Sequence, residues 1–496
     1  MKTRFSKILL IMLLSTALAP SCKKGFEEVN TDPNGTPNAL PQQLLAPALV
    51  NTVSTNMLRN RNFNNELMQV TVDASDSEGK VFRYDVKRTW ADNTWNNWYT
   101  QLNNFKDIYE IASRPEVASK TYMGISLICQ TWVFSLLTDT YGDVPYSEAL
   151  LGKTGNFAPA FDKQQDIYLD LFKKLEEANT LLAGAPNVLA GSDPVFSGNA
   201  VKWQKFGNSL YLRLLLRLSG KAEVSANTIA KINDIVVTNA AKYPVMGTND
   251  DSAVLRWTGT GYLTSPFVGG VREQDWRAPS IAEFFINNLS KWQDPRLVAN
   301  RFSIAAYQGG YAGVPSGYPA GQGVIGKSYF LSTTSPTTLM TEPLMGNIMN
   351  YSELQFILAE ASAKKFISNP TEPYYKNGIQ AGITFWIPSY VTPIETYLTA
   401  ADLTWNESVS LDQKMEMIHV QKYYSLFGTD FEQWFEYRRT GYPILPKGGG
   451  LTNGGVMPAR LTYPVYVQSA NPGHYKEAVA SQGADEISTQ VWWQKK

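Results

Sequence analysis

The stretch "QDIYLDLFKKLEEANTLL", residues 165–182, limits the fold more than any other. Ile167, Tyr168, Leu171, Phe172, Leu175, Ala178 and Leu182 recur at spacings of three and four, which on a helix makes one apolar stripe. Lys173, Lys174, Glu176 and Glu177 take the opposite face. The pattern returns in "NSLYLRLLLRL", where Leu210, Leu214, Leu215 and Leu218 turn inward with Arg213 and Arg217 one turn apart. In "YSELQFILAEASAKKF" it places Leu354, Ile357, Leu358 and Ala361 on one side. The segment from Tyr122 to Leu137 is apolar nearly all round, which predicts a central helix covered on several sides. Strand signals are weak: "SAVLRW" and "LTYPVYV" predict short strands or extended connections. In "TDFEQWFEYRRTGYP", Thr429 and Glu432 have capping-box spacing, and Gly441 and Pro443 mark a helix stop. The expected fold class is mainly α, with few short strands.

With 496 residues, 44% of them hydrophobic, the chain can bury a large core as one unit or as two intimate ones. Lys plus Arg number 44 and Asp plus Glu number 44, and no dense basic run follows a phosphate backbone, so nucleic acid is not an expected partner. No repeat of fixed period stands out. Long irregular stretches, "YQGGYAGVPSGYPAGQG" (307–323) and "PKGGGLTNGG" (446–455), interrupt the helical blocks and are candidate functional surfaces.

The start of the chain has a secretory layout. Lys2, Arg4 and Lys7 precede an apolar run from Ile8 that is too short for a comfortable membrane span. Ala19, Pro20 and Ser21 then lead into Cys22, the pattern of a bacterial lipobox. Three parts are expected: a lipoprotein signal peptide, 1–21; a lipidated tether rich in Asn, Pro and Gly, 22–43; and a helical ligand-binding domain, 44–496, with its first helix near Leu44. Lipid on Cys22 would anchor the protein to a membrane without spanning it. Cys129, the other cysteine, lies in "GISLICQTWVF" and reads as buried core. No later segment has the uninterrupted apolar length of a spanning helix.

Catalytic signatures are sparse. His419 and His474 are the only histidines; they form no His-x-x-x-His pair, no cysteine cluster supports zinc, and neither lies near a nucleophile elbow. Both are expected as satisfied core or surface residues. No Walker loop occurs, and the glycines of "GGVREQ" and "GGYAG" lack a dinucleotide-binding context. Carboxylate pairs such as Asp139 with Asp143, or Glu273 with Asp275, have the chemistry of a glycoside hydrolase. For the first pair the plainer expectation is a capped helix end and an ordered turn around Gly142 and Pro145. No catalytic residue and no cofactor is assigned; a structural Ca²⁺ on loop oxygens would leave no strict motif.

Aromatic residues are more informative. "RTWADNTWNNWYTQLNN" sets Trp90, Trp95, Trp98 and Tyr99 among Asn93, Asn96, Asn97, Asn103 and Asn104. Flat apolar faces beside amide donors and acceptors suit a sugar ring or an extended peptide. Trp95, Trp98, Tyr99 and Leu102 also keep helical spacing, so most of these rings are expected in the core and one or two exposed. Tyr307, Tyr311 and Tyr318 in the Gly-rich loop, with Trp257, Tyr262 and Trp276 in another irregular region, join Trp90, Asn93, Trp95, Asn96 and Trp98 as candidate ligand-binding residues.

Several of these motifs, in this order, resemble the SusD/RagB family of Bacteroidetes, in particular its second, SusD-like subgroup. They are "FEEVNTDPNGT" after the cysteine, "LTDTYGDVPYSEAL", "YSELQFILAEA", "WFEYRRTGYP", "MPARLTYP" and "NPGHY". The resemblance implies degenerate tetratricopeptide-type helix pairs carrying long irregular loops, in a non-catalytic lipoprotein of the outer membrane that faces the cell exterior. Such proteins capture oligosaccharides, or in some members peptides, and act as a lid on a SusC-type TonB-dependent transporter. Two departures stand out: "VYVQSAN" follows Tyr463 and Pro464 where relatives often carry a Glu, and Lys23 and Lys24 precede Glu27 and Glu28 behind the cysteine. At this point a lipid-anchored carboxylate hydrolase and a non-catalytic envelope scaffold remain as alternatives.

Overall fold

The computed structural model describes residues 39–332 and 338–495. Helix α1, Pro41–Arg59, starts three residues before the expected position, with Pro41 itself opening the first turn, where its missing N–H costs nothing. Helices α2 (Trp90–Ala112), α3 (Lys120–Tyr141), α4 (Gln164–Leu182) and α5 (Ala200–Leu218) follow, each packed on its predecessor. Helix α6 (Tyr351–Ala363) joins this row through α5 and pairs with α7 (Thr371–Trp386), while α8 (Leu411–Ser425) lies against both. Helices α9 (Glu432–Thr440), α10 (Val465–Ala470) and α11 (Pro472–Gln482) close the chain. The result is a row of helix pairs of tetratricopeptide type, mainly α as expected.

Local sequence accounts for the pairs. The α4 stripe of Ile167, Tyr168, Leu171, Leu175, Ala178 and Leu182 is buried. Helix α3 is long and apolar enough to cross a membrane, yet α2, α4 and α5 enclose it. Two glycines permit that enclosure: a Cβ at Gly124 would stand 2.6 Å from Leu182 Cγ, and one at Gly207 2.7 Å from Ile128 Cδ1. Cys129 is buried on the same helix, as expected, whereas Cys22 lies outside the described residues.

Three two-stranded antiparallel ribbons are the sheet structure among the described residues: β1 (Thr71–Asp73) with β5 (Pro279–Ile281), β2 (Val144–Pro145) with β3 (Phe161–Asp162), and β4 (Ala253–Val254) with β6 (Asn347–Met349). "SAVLRW" thus supplies β4. "LTYPVYV" does not form a strand: Pro464 keeps an extended backbone, and Val465 then begins α10.

Charge is buried along the helix row. Arg213 on α5 is held by both oxygens of Glu353, each at 2.6 Å. Arg217, one turn on, meets Asp139 at 3.2 Å, Glu432 at 2.7 Å and Glu436 at 3.4 Å. This network corrects two expectations. Glu432 opens α9 with its carboxylate drawn to Arg217, and Thr429 accepts from Asn347 instead, so no capping box forms there. Asp139 does not cap; it also accepts from Tyr168 and Trp493. Asp143 does act as a cap, but for α4, accepting the Gln164 N–H at 2.9 Å. Gly441 ends α9 in the left-handed region, φ 78°, as expected of a helix stop.

The two Gly-rich loops bind each other. Gly450 N–H donates to the Gly317 carbonyl at 2.8 Å, and a Cβ at Gly448 would lie 2.1 Å from that same oxygen.

Candidate functional site

The structure sorts the candidate rings by burial. Four belong to the core and are withdrawn as ligand contacts, because a ring enclosed by protein has no face left for a ligand. Trp98 is 1% exposed, its indole N–H donating to Asn56 Oδ1 at 2.8 Å. Trp257 directs its N–H at Met57 Sδ, 3.0 Å away. Trp276 meets Phe267 edge-on at 5.0 Å and carries the Arg61 guanidinium over its face. Tyr318 sits between Phe82 and Arg83 at the point where the Gly-rich loops join. The remaining candidates keep accessible surface, except Trp95, which is buried but lines the cleft described below. Trp90 is half-buried under the Arg59 guanidinium, which also donates to exposed Asn93. Tyr262 is exposed, and Tyr307 and Tyr311 are half-buried on their loop.

Trp95 and Asn96 come together with other residues in a cleft of ≈ 730 Å³. Helix α2 forms one wall: successive turns present Trp95, Asn96, Tyr99, Thr100, Asn103 and Asn104, the spacing that puts residues on one helix face. The turn after α3 adds Pro145, Ala149 and Leu150, the segment entering β3 adds Phe157, Pro159 and Phe161, and α10 adds Tyr466, Val467 and Ala470, with Asn471 beyond it. The β2–β3 ribbon fixes the turn after α3 and the β3 segment relative to each other, pairing Pro145 with Phe161.

An aromatic cluster forms the floor. Trp95, only 6% exposed, packs on Tyr99 at 5.1 Å, edge-on to Tyr141 at 5.0 Å and to Tyr463 at 5.9 Å. Phe157 is 80% exposed and Tyr466 44%, so these two offer open ring surface at the mouth. The polar edge is made of amides. Asn96 Oδ1 accepts from the Tyr466 hydroxyl, Asn104 donates to Gln101 and Asn103 to Asp107; among the described residues no donor meets the side-chain carbonyls of Asn103 and Asn104. Burial pushes the hydroxyls of Tyr99 and Tyr466 up in pKa, so both remain neutral; Tyr99 donates to the Pro145 carbonyl at 2.7 Å.

Sequence reasoning found the α2 wall and missed the others. Phe157 stands in "TGNFAPAF", an aromatic among loop-forming residues, and that is an available signal; Tyr466 is hidden in a segment that reads as a short strand or an extended connection. A second cleft of ≈ 710 Å³, lined by Asn233, Lys365, Phe366, Glu372 and Glu407 among others, is charged and holds a single ring. The carboxylates considered for hydrolysis are committed elsewhere: Asp139 and Asp143 as above, Glu273 to Arg277 and Asp275 to Arg272. Buried His419 faces Glu360, and half-buried His474 pairs with Glu477, matching their expected core and surface roles.

A row of helix pairs holds this aromatic and amide-edged cleft, and the four carboxylates considered for hydrolysis are held in ion pairs and hydrogen bonds. The chain belongs to the SusD-like family, whose model, "Starch-binding associating with outer membrane", matches residues 33–464. Among solved structures it is similar to a chitin-binding protein at 26% identity, covering 92% of this chain and 99% of the other with a TM-score of 0.74. A SusD homolog from Bacteroides uniformis shares 24% identity over 91% of this chain and 99% of its own, TM-score 0.75. A chitin-binding SusD homolog from Flavobacterium johnsoniae shares 20% identity over 92% and 98%, TM-score 0.76. No curated protein matches the chain.

Proposed function

We propose that this protein is a lipoprotein of the outer membrane, anchored through Cys22 and facing the cell exterior, that captures an oligosaccharide and acts as a lid on a SusC-type TonB-dependent transporter. Family membership supports the outer-membrane setting and a carbohydrate ligand, and proteins of this family are generally non-catalytic. The observation that carries the ligand reading is the cleft, which sets the open rings of Phe157 and Tyr466 beside the amides of Asn96, Asn103 and Asn104. Aromatic faces stack on the C–H face of a sugar while amides meet its hydroxyls. A peptide is the second ligand class, since amides also pair with an extended backbone. On this reading the segment between Cys22 and α1 serves as the attachment of the lid to the membrane.

Gentle solubilisation of the membranes tests the partnership. The lid reading expects co-purification with a large β-barrel protein, and recovery of the protein alone counts against it. Metabolic labelling with a fatty acid tests the anchor: label must be lost in Cys22→Ser. Glycan and peptide arrays separate the ligand classes, and turnover of any bound oligosaccharide would favour the hydrolase instead.

A further inference from the structure

We infer that the ligand of the cleft is an uncharged glycan, a chain of neutral hexose or N-acetylhexosamine units, and not an acidic polysaccharide; this rests on the reading of the cleft as the glycan site. Among the sixteen residues that line it there is no Asp, Glu, Lys, Arg or His.

Several charged residues on the same segments are engaged elsewhere, while Lys153, between Leu150 and Phe157, is exposed and not among the lining residues. Glu148 accepts the Ala160 N–H at 2.9 Å and the Asn156 amide at 3.1 Å. Asp162 accepts the N–H groups of Tyr146 and Ser147, both at 2.9 Å, and the Ser147 hydroxyl at 2.7 Å. Lys106 reaches the Ala149 carbonyl at 3.1 Å, so its ammonium is engaged with backbone. Asp107 takes a hydrogen bond from Asn103 and lies 3.5 Å from Lys153.

A uronate or sulfate entering this cleft would shed water against aromatic walls and find no cation in the lining, and an unpaired charge moved against such walls is disfavoured. Recognition of acidic groups normally uses Arg or Lys, with Arg clamping in a bidentate manner. Neutral hydroxyls and acetamido groups need only the amide donors and acceptors that are present, and the C–H faces of a neutral ring match the open faces of Phe157 and Tyr466.

The test is calorimetric titration of the purified lipoprotein with three neutral hexasaccharides (maltohexaose, cellohexaose and chitohexaose), hexagalacturonate, a chondroitin sulfate hexamer and an uncharged hexapeptide. The expected result is binding of a neutral hexasaccharide, changing less than about twofold between low and high salt because no ion pair is screened. The affinity should fall about tenfold or more in Phe157→Ala and in Tyr466→Ala, both at exposed positions where folding is spared. Binding of hexagalacturonate or chondroitin sulfate, weakened by salt and lost in the same variants, would overturn the uncharged-ligand inference and leave glycan capture at the cleft intact. Binding of the peptide alone, or glycan binding untouched by both variants, would overturn the reading of the cleft as the glycan site.

Discussion

Arg439 on α9 holds Glu360 on α6 with two hydrogen bonds, Nη1 to Oε1 at 2.7 Å and Nη2 to Oε2 at 2.6 Å, both side chains buried. The same guanidinium reaches Glu436 at 2.7 Å, and Lys422 on α8 closes on Glu436 at 2.6 Å. Among the described residues Glu360, His419 and Glu436 are the one grouping of three acidic or histidine side chains near enough to share an ion, and Arg439 and Lys422 supply its positive charge. Helices α6, α8 and α9 are thus joined by charge as well as by apolar contact.

Arg439→Ala would remove the paired contact to Glu360 and one partner of Glu436, leaving them Lys364 and Lys422, and should cost about 1.5–3 kcal/mol. Arg439→Lys should recover only part, because an ammonium cannot make the paired contact. Urea denaturation of the three proteins at neutral pH checks the order.

Acid should weaken the same joint. Burial pushes the Glu360 carboxyl up, but Arg439, Lys364 and His419 together pull it well below its usual value, and Arg439 and Lys422 do the same for Glu436. A carboxyl lowered in the folded state contributes stability above its unfolded pKa and loses it as pH falls toward the folded value. The urea midpoint should therefore drop steadily below about pH 4.5, and less steeply in Arg439→Ala.

Two other carboxyls act in the opposite sense. Burial, aided by Asp73, raises Glu66 to about 8, and burial raises Asp430 to about 7 despite Arg213. Below those values both stay largely protonated in the folded protein while the unfolded chain releases its protons, so stability falls as pH rises from the ordinary carboxyl range to those values. Glu66→Gln, which keeps the shape and removes the titration, should flatten the decline of the urea midpoint between pH 5 and pH 8 on the order of one carboxyl's share.

Trp98 and Tyr466 should separate packing from recognition. Trp98→Ala removes an enclosed indole and its bond to Asn56, and should cost about 3–5 kcal/mol. Tyr466→Ala, at a half-open ring, should change the melting temperature little and the ligand affinity strongly. Melting and titration of both variants, side by side, give the comparison.

Cys129 should be inert in the native state. Burial on α3 pushes its thiol well above the ordinary value, so little thiolate exists to react. An aromatic disulfide reagent should label it only after denaturant is added.

Much of the architecture was legible before the coordinates. The periodic runs of α4, α5 and α6 and the all-round apolar α3 announce the helix row because burial follows the 3.6-residue period directly. What failed were local readings overruled by distant partners. Thr429 and Glu432 have the spacing of a cap, but Arg217, more than two hundred residues away, claims the glutamate. Val465, Tyr466 and Val467 have strand propensity, yet they form a helix that packs its Val467 into the core and leaves Tyr466 at the cleft. Trp98, Trp257, Trp276 and Tyr318 are candidates by residue type and neighbouring sequence, and neither tells which face of a ring is covered.

The sequence by itself determined the class of fold, the family and the α2 wall of the site, because each is written in short-range periodicity or in contiguous motifs. Only the tertiary structure decided the site, since a cleft is made by residues far apart in the chain: Trp95 and Asn96 gain meaning from Phe157, Phe161 and Tyr466. It also decided where the charges went. Pairing energy depends on distance in space, and no spacing along the chain shows that Glu148, Asp162 and Lys106 turn away from the cleft and leave it neutral.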